Sequence, residues 1–161
     1  DDDPVVYTAP SGTTAPPIVR EQAFETSLAH ANLVGNIYYA NYYDWQGQIR
    51  DRLFYDLIPD YYGGVGEKGE LLTLESRVDH LREAMPFDTV ALTLAIKELR
   101  RCSVTFQVDY FRLEGDRARV KIATGLHRAV WVMRDHQGRA VAAPFPSAVK
   151  RAFDTAVRKG T

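Results

Sequence analysis

The sequence predicts an α+β fold in which one long helix packs against a curved antiparallel sheet of about five strands. Two observations predict it. Residues 37–58 carry apolar side chains at three- and four-residue steps, which is the period of a helix with one buried face. Most of the chain after residue 70 alternates apolar and polar residues, as strands do. Because the long helix must bury its apolar face, the concave face of the sheet is its expected partner.

Before the helix, residues 18–28 predict a first strand, since apolar and polar side chains alternate there. Asn36 is expected to cap the helix, because its side chain can accept a hydrogen bond from the free N–H groups of the first turn. The helix then runs from Ile37 to Ile58, and Pro59 ends it. The apolar face of this helix comprises Tyr38, Tyr42, Trp45, Ile49 and Leu53.

After a glycine-rich loop at residues 61–69, four long strands are expected, separated by turn sequences such as Glu114-Gly115-Asp116. In the last long strand, Val120, Ile122, Thr124 and Leu126 are expected to share one face. A short helix over residues 146–159 is expected to close the chain. The four strands are centred on residues 72–78, 90–96, 104–110 and 120–134.

The first 17 residues differ from the rest in composition. They contain Thr, Ser, Gly and four prolines, with little apolar surface to bury. We therefore expect residues 1–17 to be a flexible tail or an interdomain linker. Residues 18–161 are expected to form one domain, which is long enough to bury a sizeable core.

The composition is that of an ordinary globular protein, with 45% hydrophobic and 25% charged residues. A formal net charge of −1 provides no general attraction to nucleic acid or to an anionic membrane. No apolar run approaches the ~20 residues that a membrane span needs. We expect a cytoplasmic protein that binds neither nucleic acid nor a membrane.

Cysteine and histidine are too sparse to indicate a metal site. Cys102 is the only cysteine, which excludes an intramolecular disulfide and any multi-cysteine zinc site. The histidines show no metal-ligand spacing and are interpreted as structural or surface residues. We expect no metal and no cofactor. The four histidines are His30, His80, His127 and His136.

The entry to the long helix carries a motif that resembles a known family. Residues 32–50 contain Asn-Leu-Val-Gly-Asn, followed by Tyr, Asn-Tyr, Trp-Gln-Gly and Arg. This segment resembles the 4-hydroxybenzoyl-CoA thioesterase-like family of hotdog-fold proteins. Within that family it is similar to the thioesterases of enediyne polyketide biosynthesis, as is the later run of residues 83–88. The resemblance implies a hotdog fold, a long helix wrapped by a curved sheet, and hydrolysis of a thioester.

The motif departs from the wider family at its first residue. Asn32 stands where the benzoyl-CoA-type enzymes usually have a catalytic Asp, and an amide cannot act as a carboxylate base. The enediyne group is similar to this chain in lacking that acid. The resemblance implies Asn32 and Arg50 as catalytic residues, with the backbone N–H of Tyr39 as the donor to the oxyanion. Without the resemblance, Asn32 is better interpreted as a turn residue than as a catalytic one.

Arg50 lies roughly 17 Å along the helix axis from Tyr39, at about 1.5 Å per residue. One helix therefore cannot bring both groups to one site. Because hotdog active sites lie at a dimer interface, we expect Arg50 to reach the site of a partner subunit. A solvated Arg50 paired with Asp51 or Asp44 is the alternative. The residues expected to contact substrate are Tyr38, Asn41, Tyr42, Trp45 and Gln46, although the aromatic members also suit a core.

The resemblance further implies a substrate. It is a polyene β-ketoacyl chain on an acyl carrier protein, and its hydrolysis releases a β-keto acid that can lose CO₂ to give a methyl ketone or polyene. The expected partners are an acyl carrier protein or polyketide synthase. A second copy of the chain is also expected, in a homodimer or in a homotetramer made of two hotdog dimers.

Other functions stay open. A thioesterase for a small acyl- or aryl-CoA would use basic residues for the nucleotide phosphates, although the same residues also suit an acidic carrier protein. A non-catalytic hotdog module that binds acyl chains or docks in a synthase is favoured by the missing acid. A dehydratase would need a His–Asp pair at the helix entry, where His30 stands without an Asp. The basic candidates are Lys97, Arg100, Arg101 and Arg112.

Overall fold

The protein is described by a computed structural model covering residues 3–11, 16–62, 69–115 and 118–159. These residues form seven strands and two α-helices, with short 3-10 turns at Leu28–His30 and Pro59–Tyr61. Most of the predicted glycine-rich loop lies outside the described residues. The elements are β1 Val5–Thr8, β2 Ile18–Glu25, α1 Ala40–Leu57, β3 Gly69–His80, β4 Thr89–Arg100, β5 Ser103–Glu114, β6 Ala118–Arg134, β7 Ala140–Ala142 and α2 Ser147–Lys159.

The strands form one antiparallel sheet in the order β1-β4-β5-β6-β3. Strand β2 also pairs with β4, over residues 89–95, while β1 pairs with residues 98–100, so the two lie end to end on one edge. Strand β7 pairs with β6 at residues 132–134, beyond the part of β6 that β5 covers. The described residues thus supply seven strands rather than the expected five, although these occupy five positions across the sheet.

Helix α1 packs its apolar face onto the sheet and joins one core with α2. Phe54 of α1 lies 6.0 Å from Phe153 of α2 and 6.4 Å from Trp131 of β6, measured between ring centroids. Near the start of α1, the Tyr110 hydroxyl of β5 donates to the Tyr42 carbonyl at 2.9 Å. These contacts anchor both ends of α1 on the sheet and so fix where its N-terminus points. The buried residues of α1 are Tyr42, Trp45, Gln46, Ile49, Leu53 and Phe54.

Helix α1 begins later than the sequence predicts. Its N-cap position is occupied by Tyr39, which makes no side-chain cap, so the prediction of Asn36 as the cap is wrong. The Asn36 amide nitrogen instead donates to Glu83 Oε1 at 3.1 Å. The backbone there is held outside the helix, because the Ile37 N–H donates to the Ala84 carbonyl at 2.9 Å. Hydrogen bonding to a loop that is distant in the sequence therefore overrides the preference of Asn36 for an N-cap position.

Part of the predicted tail belongs to the sheet. Residues 5–8 form β1, so the expectation of a flexible segment is wrong there. The Asp3 carboxylate anchors this segment by accepting hydrogen bonds from the Cys102 N–H and the Ser103 hydroxyl, both at 2.8 Å. The free edge of β4 explains the pairing, because unpaired strand edges bind any extended segment of suitable length. The domain boundary at residue 17 stays a prediction.

None of the helices in the described ranges is long and apolar enough to cross a membrane. Within the same ranges, no group of three His, Cys, Asp or Glu side chains is arranged to hold a metal ion. Cys102 is a buried free thiol, and burial raises its pKa above the ordinary value. A protonated buried thiol is a packing residue rather than a nucleophile.

Candidate active site

Asn32 opens a tight loop that leads into α1. Its N–H donates to the Asn36 carbonyl at 2.9 Å, and its carbonyl accepts the Gly35 N–H at 3.1 Å. Gly35 has a φ of 92°, a conformation that favours glycine. The Asn32 side-chain oxygen accepts the Val34 N–H at 3.0 Å, while its amide nitrogen donates to no described residue. The fold thus uses one end of the amide and leaves the donor end available for a ligand.

The start of α1 supplies a second donor. The Tyr38 N–H donates to the His30 carbonyl at 2.8 Å, and the Asn41 N–H donates to the Tyr38 carbonyl at 3.1 Å. Between them, the Tyr39 N–H has no acceptor among the described residues. Unpaired N–H groups at a helix N-terminus carry partial positive charge. The Tyr39 N–H is therefore unpaired in the described residues, and its role as the donor to an oxyanion stays a prediction.

Asn32 lines a shallow open cavity of about 530 Å³ together with Tyr38. The Tyr38 side chain is exposed, so it is available to contact a substrate there. Leu33 and Val34, on the rim of the same cavity, are almost fully exposed. Large exposed apolar side chains beside polar donors are typical of a surface that binds an apolar ligand or a partner.

The Tyr39 side chain borders a second, smaller cavity of about 200 Å³. Here the His80 ring lies 4.5 Å from the rings of both Tyr39 and Tyr42, measured between centroids. Burial lowers the pKa of His80, which favours the neutral imidazole at neutral pH. The side-chain oxygen of Asn36, which also lines this cavity, is buried without a hydrogen-bond partner among the described residues. The sequence interpretation missed this contact of His80 with the helix start.

Arg50 lines a different cavity, of about 880 Å³, at the far part of α1 with Tyr61 and Tyr62. This cavity shares no lining residue with the one at Asn32, so the described protomer does not bring Asn32 and Arg50 together. That separation agrees with the helical spacing from which the sequence analysis placed Arg50 in a partner's site.

The guanidinium of Arg50 is held on three sides. Its Nε and Nη2 donate to Asp51 Oδ1 at 3.0 and 2.6 Å, and its Nη1 donates to Thr73 Oγ1 at 2.6 Å. The same Nη1 lies 3.2 Å from His127 Nε2. Only 13% of the Arg50 side chain is exposed. The expected ion pair with Asp51 is therefore present, but Arg50 is not a freely solvated residue.

Gln46 is fully buried, and the prediction that it contacts substrate is wrong. Its Oε1 accepts the Ser76 hydroxyl and lies near His127 Nδ1, both at 3.1 Å. Its Nε2 donates to the Arg77 carbonyl at 3.0 Å. This contact depends on Gly125, where a Cβ would lie 2.1 Å from the Arg77 oxygen and 3.0 Å from Gln46 Nε2. Both polar ends of Gln46 are therefore committed to the protein.

His127, on the inner face of β6, is only 3% exposed. Burial, assisted by the neighbouring Arg50 cation, lowers its pKa to about 4, so the ring is neutral at pH 7. The sequence interpretation missed this residue because it placed Val120, Ile122, Thr124 and Leu126 on one face. A register shift opposite Tyr110 and Phe111 turns the strand over, so the odd-numbered residues from 123 to 131 point inward.

Three further predicted contacts have structural roles. Tyr42 and Trp45 are buried, with ring centroids 5.3 Å apart, as the core interpretation expected. The Asn41 amide nitrogen donates to the carbonyls of His30 and Tyr38, at 2.8 and 3.1 Å, and so ties the loop to α1. The His30 ring accepts the Ser27 N–H through Nδ1 at 3.0 Å. This structural contact disfavours the dehydratase alternative.

Comparison with known proteins agrees with this architecture. The sequence profile of the thioesterase-like superfamily matches residues 28–153. No curated protein matches the sequence at a significant level. Among solved structures, the dynemicin thioesterase, studied for polyene binding, is 24% identical with a TM-score of 0.75, over 84% of this chain and 94% of that one.

Two CoA thioesterases share the fold at lower identity. A mutant 4-hydroxybenzoyl-CoA thioesterase complexed with 4-hydroxybenzoyl-CoA is 18% identical with a TM-score of 0.70, over 83% of this chain and 96% of that one. A gentisyl-CoA thioesterase is 20% identical with a TM-score of 0.67, over 83% and 99%. These likenesses confirm the expected hotdog-like fold. Because the family match spans most of its length, the chain belongs to the thioesterase-like superfamily and is a thioester hydrolase.

Proposed function

We propose that this hydrolase releases a long conjugated β-ketoacyl chain from an acyl carrier protein, working as a homodimer or as a tetramer of two such dimers. The observation that carries the proposal is the Asn32 amide. Its oxygen is tied to the Val34 N–H at 3.0 Å and its nitrogen is left for a ligand, while the Tyr39 N–H at the start of α1 has no acceptor among the described residues. The motif around Asn32 resembles the enediyne thioesterases, and the fold resembles a thioesterase studied for polyene binding.

These two donors suit a thioester without a carboxylate base. Water attacks the carbonyl carbon, and the developing oxyanion accepts hydrogen bonds from the Tyr39 N–H and the Asn32 amide nitrogen. The C–S bond then breaks, and the departing thiolate takes the proton that the attacking water loses. Since a thiolate is a good leaving group, positioning and oxyanion stabilisation are the main contributions required of the protein.

The proposed dimer is supported by the exposed edge of the sheet. Strand β3 is at this edge, and nine of its twelve residues are exposed, including Leu74. A long uncovered strand edge with apolar side chains favours pairing with another chain. Arg50 bonds to Thr73 on this strand, so a second copy docked here would bring its own Arg50 close to the interface. The proposed site thus combines Asn32 and Tyr39 of one copy with Arg50 of the other.

Arg50 also suits the step that follows hydrolysis. A β-keto acid loses CO₂ when its carbon–carbon bond breaks, and the electron pair is held as an enolate until that carbon is protonated. A cation beside the enolate oxygen stabilises this charge. We assign this role to Arg50, so its removal should lower the ratio of methyl ketone to β-keto acid.

The basic candidates do not decide between CoA and an acidic carrier protein, since either would use them. Two of the four basic candidates are already paired with carboxylates. Arg100 Nε lies 2.7 Å from Glu98 Oε1, and Arg112 Nη2 lies 2.6 Å from Glu114 Oε1. Such pairing lowers the net positive charge that either the nucleotide phosphates or the carrier protein would meet.

A mass-spectrometric release assay tests the proposal. Purified protein is given a long β-ketoacyl carrier protein and the matching acyl-CoA, and released acid and ketone are measured. We expect release with a preference for the carrier protein. A preference for the CoA ester would favour the alternative enzyme, and binding without release from either would favour a non-catalytic docking module.

A further inference from the structure

A polar cluster, buried at its centre, connects α1 with β3 and β6. It joins Gln46 and Arg50 of α1, Thr73 and Ser76 of β3, and His127 of β6. Gln46 and His127 are 0% and 3% exposed, so their hydrogen bonds must be made within the protein. The cluster ends at the Arg50 guanidinium, which is partly accessible to solvent.

The hydrogen bonds determine which nitrogen of His127 carries the proton. Gln46 Nε2 donates to the Arg77 carbonyl at 3.0 Å, so Gln46 Oε1 is the end that faces His127 Nδ1 at 3.1 Å. A carbonyl oxygen only accepts, so Nδ1 must donate. On the other side, Arg50 Nη1 lies 3.2 Å from Nε2, and a guanidinium only donates. Nδ1 is therefore protonated and Nε2 accepts.

We propose that His127 is a positioning residue that holds Arg50 for catalysis by accepting a hydrogen bond from its Nη1. The proposal rests on the role of Arg50 in the proposed function. Together with Thr73 and Asp51, His127 leaves the guanidinium one free N–H. A guanidinium has five N–H donors, and four are used here: one at Nε, two at Nη1 and one at Nη2. The remaining donor on Nη2 is the one available to substrate.

The surroundings of His127 suit this neutral acceptor. Helix α1 presents one cation and one carboxylate, Arg50 and Asp51, whereas β3 presents the hydroxyl of Ser76 and β5 pairs Phe106 with His127. Burial and the Arg50 cation hold its pKa at about 4, which keeps Nε2 unprotonated at neutral pH. If His127 served only to fill space, no acceptor nitrogen would need to be directed at Arg50.

The first test is the tautomer of His127, measured by ¹⁵N NMR of the histidine-labelled full chain at pH 7. Free neutral histidine favours the proton on Nε2, whereas we expect it on Nδ1 here. The signal is assigned by its loss in His127→Gln. A proton on Nε2 would overturn the proposal. This measurement needs no substrate, so it still decides the hydrogen bond if the wild-type protein releases no acyl product and the proposed function fails.

The second test separates positioning from packing by kinetics. His127→Phe fills the space without an acceptor, whereas the carbonyl of His127→Gln can reach the place of Nε2. We expect the kcat of ketone formation to fall about tenfold in His127→Phe with little change in KM, and to stay within about threefold of wild type in His127→Gln, since a bond to a charged group is lost only in the first. His136→Phe, in an exposed turn, is the matched control and should be unchanged.

Arg50→Ala added to His127→Phe should cost no more than Arg50→Ala alone, because His127 acts through Arg50. Circular dichroism first establishes which variants fold. If His127→Phe does not fold, the Gln variant and the tautomer still decide the proposal. Wild-type kcat in a folded His127→Phe protein, or equal losses in the folded Phe and Gln variants, would refute it.

Discussion

At the scale of single residues, the two ends of the Asn32 amide differ in their hydrogen bonding. Its oxygen closes the loop onto the Val34 N–H, whereas its nitrogen has no partner among the described residues, and the residue lines a cavity with Tyr38. Loop stability and catalysis can therefore be tested separately at this position. A small hydroxyl side chain can accept the Val34 N–H in a similar turn, but it does not extend a donor into the cavity.

We predict that Asn32→Ala and Asn32→Ser both lose most acyl release, by about a hundredfold, the usual loss for one oxyanion donor. The serine variant should melt close to wild type, because the loop keeps its acceptor. Release rates and thermal melts check this, with Arg151→Ala on the exposed face of α2 as the control. Activity near wild type in the serine variant would show that Asn32 serves only the loop.

His127 should also make the stability depend on pH. Its pKa is about 4 in the folded state and about 6.5 in the unfolded chain, so between these values the unfolded state binds more protons. Stability should therefore fall as the pH drops through this window, by about 2 kcal/mol between pH 7 and pH 5. Urea unfolding at both pH values measures it. His127→Gln should show a smaller loss, and an identical loss would contradict the assignment.

At the scale of elements, a register shift and a glycine in β6 determine how this strand contacts α1. The register shift opposite Tyr110 and Phe111 turns His127 inward, and the absent side chain of Gly125 lets Gln46 reach the Arg77 carbonyl. Because of these two features, β6 turns His127 toward α1, whereas simple alternation along the strand would turn it to the opposite face. The position of Arg50 on α1 depends on this feature of β6.

We predict that Gly125→Ala destabilises the protein by about 1–3 kcal/mol, because the new Cβ would overlap the Arg77 backbone. Gly47→Ala is the matched control, since no atom lies within 4 Å of a Cβ at that position of α1. It should stabilise by about 0.5–1 kcal/mol through helix propensity. Chemical denaturation measures the free energy of unfolding of both variants and checks that the two changes have opposite signs. If Gly125→Ala left the free energy of unfolding unchanged, β3 and β6 would have to move apart easily to admit the new Cβ.

At the scale of the whole molecule, the two parts of the proposed site lie apart within one protomer. The cavity at Asn32 and the one at Arg50 share no residue, and the exposed edge of β3 lies next to Arg50. A second copy on that edge would complete the site. The catalytic unit is then the dimer rather than the chain.

We predict that Asn32→Ala and Arg50→Ala subunits each form little methyl ketone alone, and that mixing them, after unfolding and refolding together, restores up to about one quarter of wild-type ketone formation. Half of the dimers are then mixed, and each mixed dimer has one intact site of two. The release assay measures it, and mixing Asn32→Ala with Asn32→Ser is the control without rescue. No recovery from proven mixed dimers would place both residues in the site of one chain.

The same edge should control assembly. Leu74→Lys places a charge on the exposed part of β3, and charged residues on edge strands oppose pairing. We expect a folded monomer that forms little methyl ketone. Light scattering coupled to gel filtration gives the mass, and an unchanged oligomer would exclude β3 as the interface.

Much of the molecule was predictable from local pattern. The long helix, the four long strands and the terminal helix follow from the periodicity of apolar residues, because each is long enough for its period to show. The motif from Asn32 to Arg50 also indicated the superfamily before any coordinates. The spacing of Tyr39 and Arg50 along one helix already placed them apart.

Only the tertiary structure decided the rest. Strands β1 and β7 have four and three residues, too few for a period, and they form because neighbouring strands offer free edges. Helix α1 starts at Ala40 rather than at Ile37 because Ile37 is bonded to Ala84 of a distant loop. Gln46 and His127 form a buried pair because of a register shift between β5 and β6. The alternation of apolar and polar residues in the sequence does not indicate where such a shift occurs.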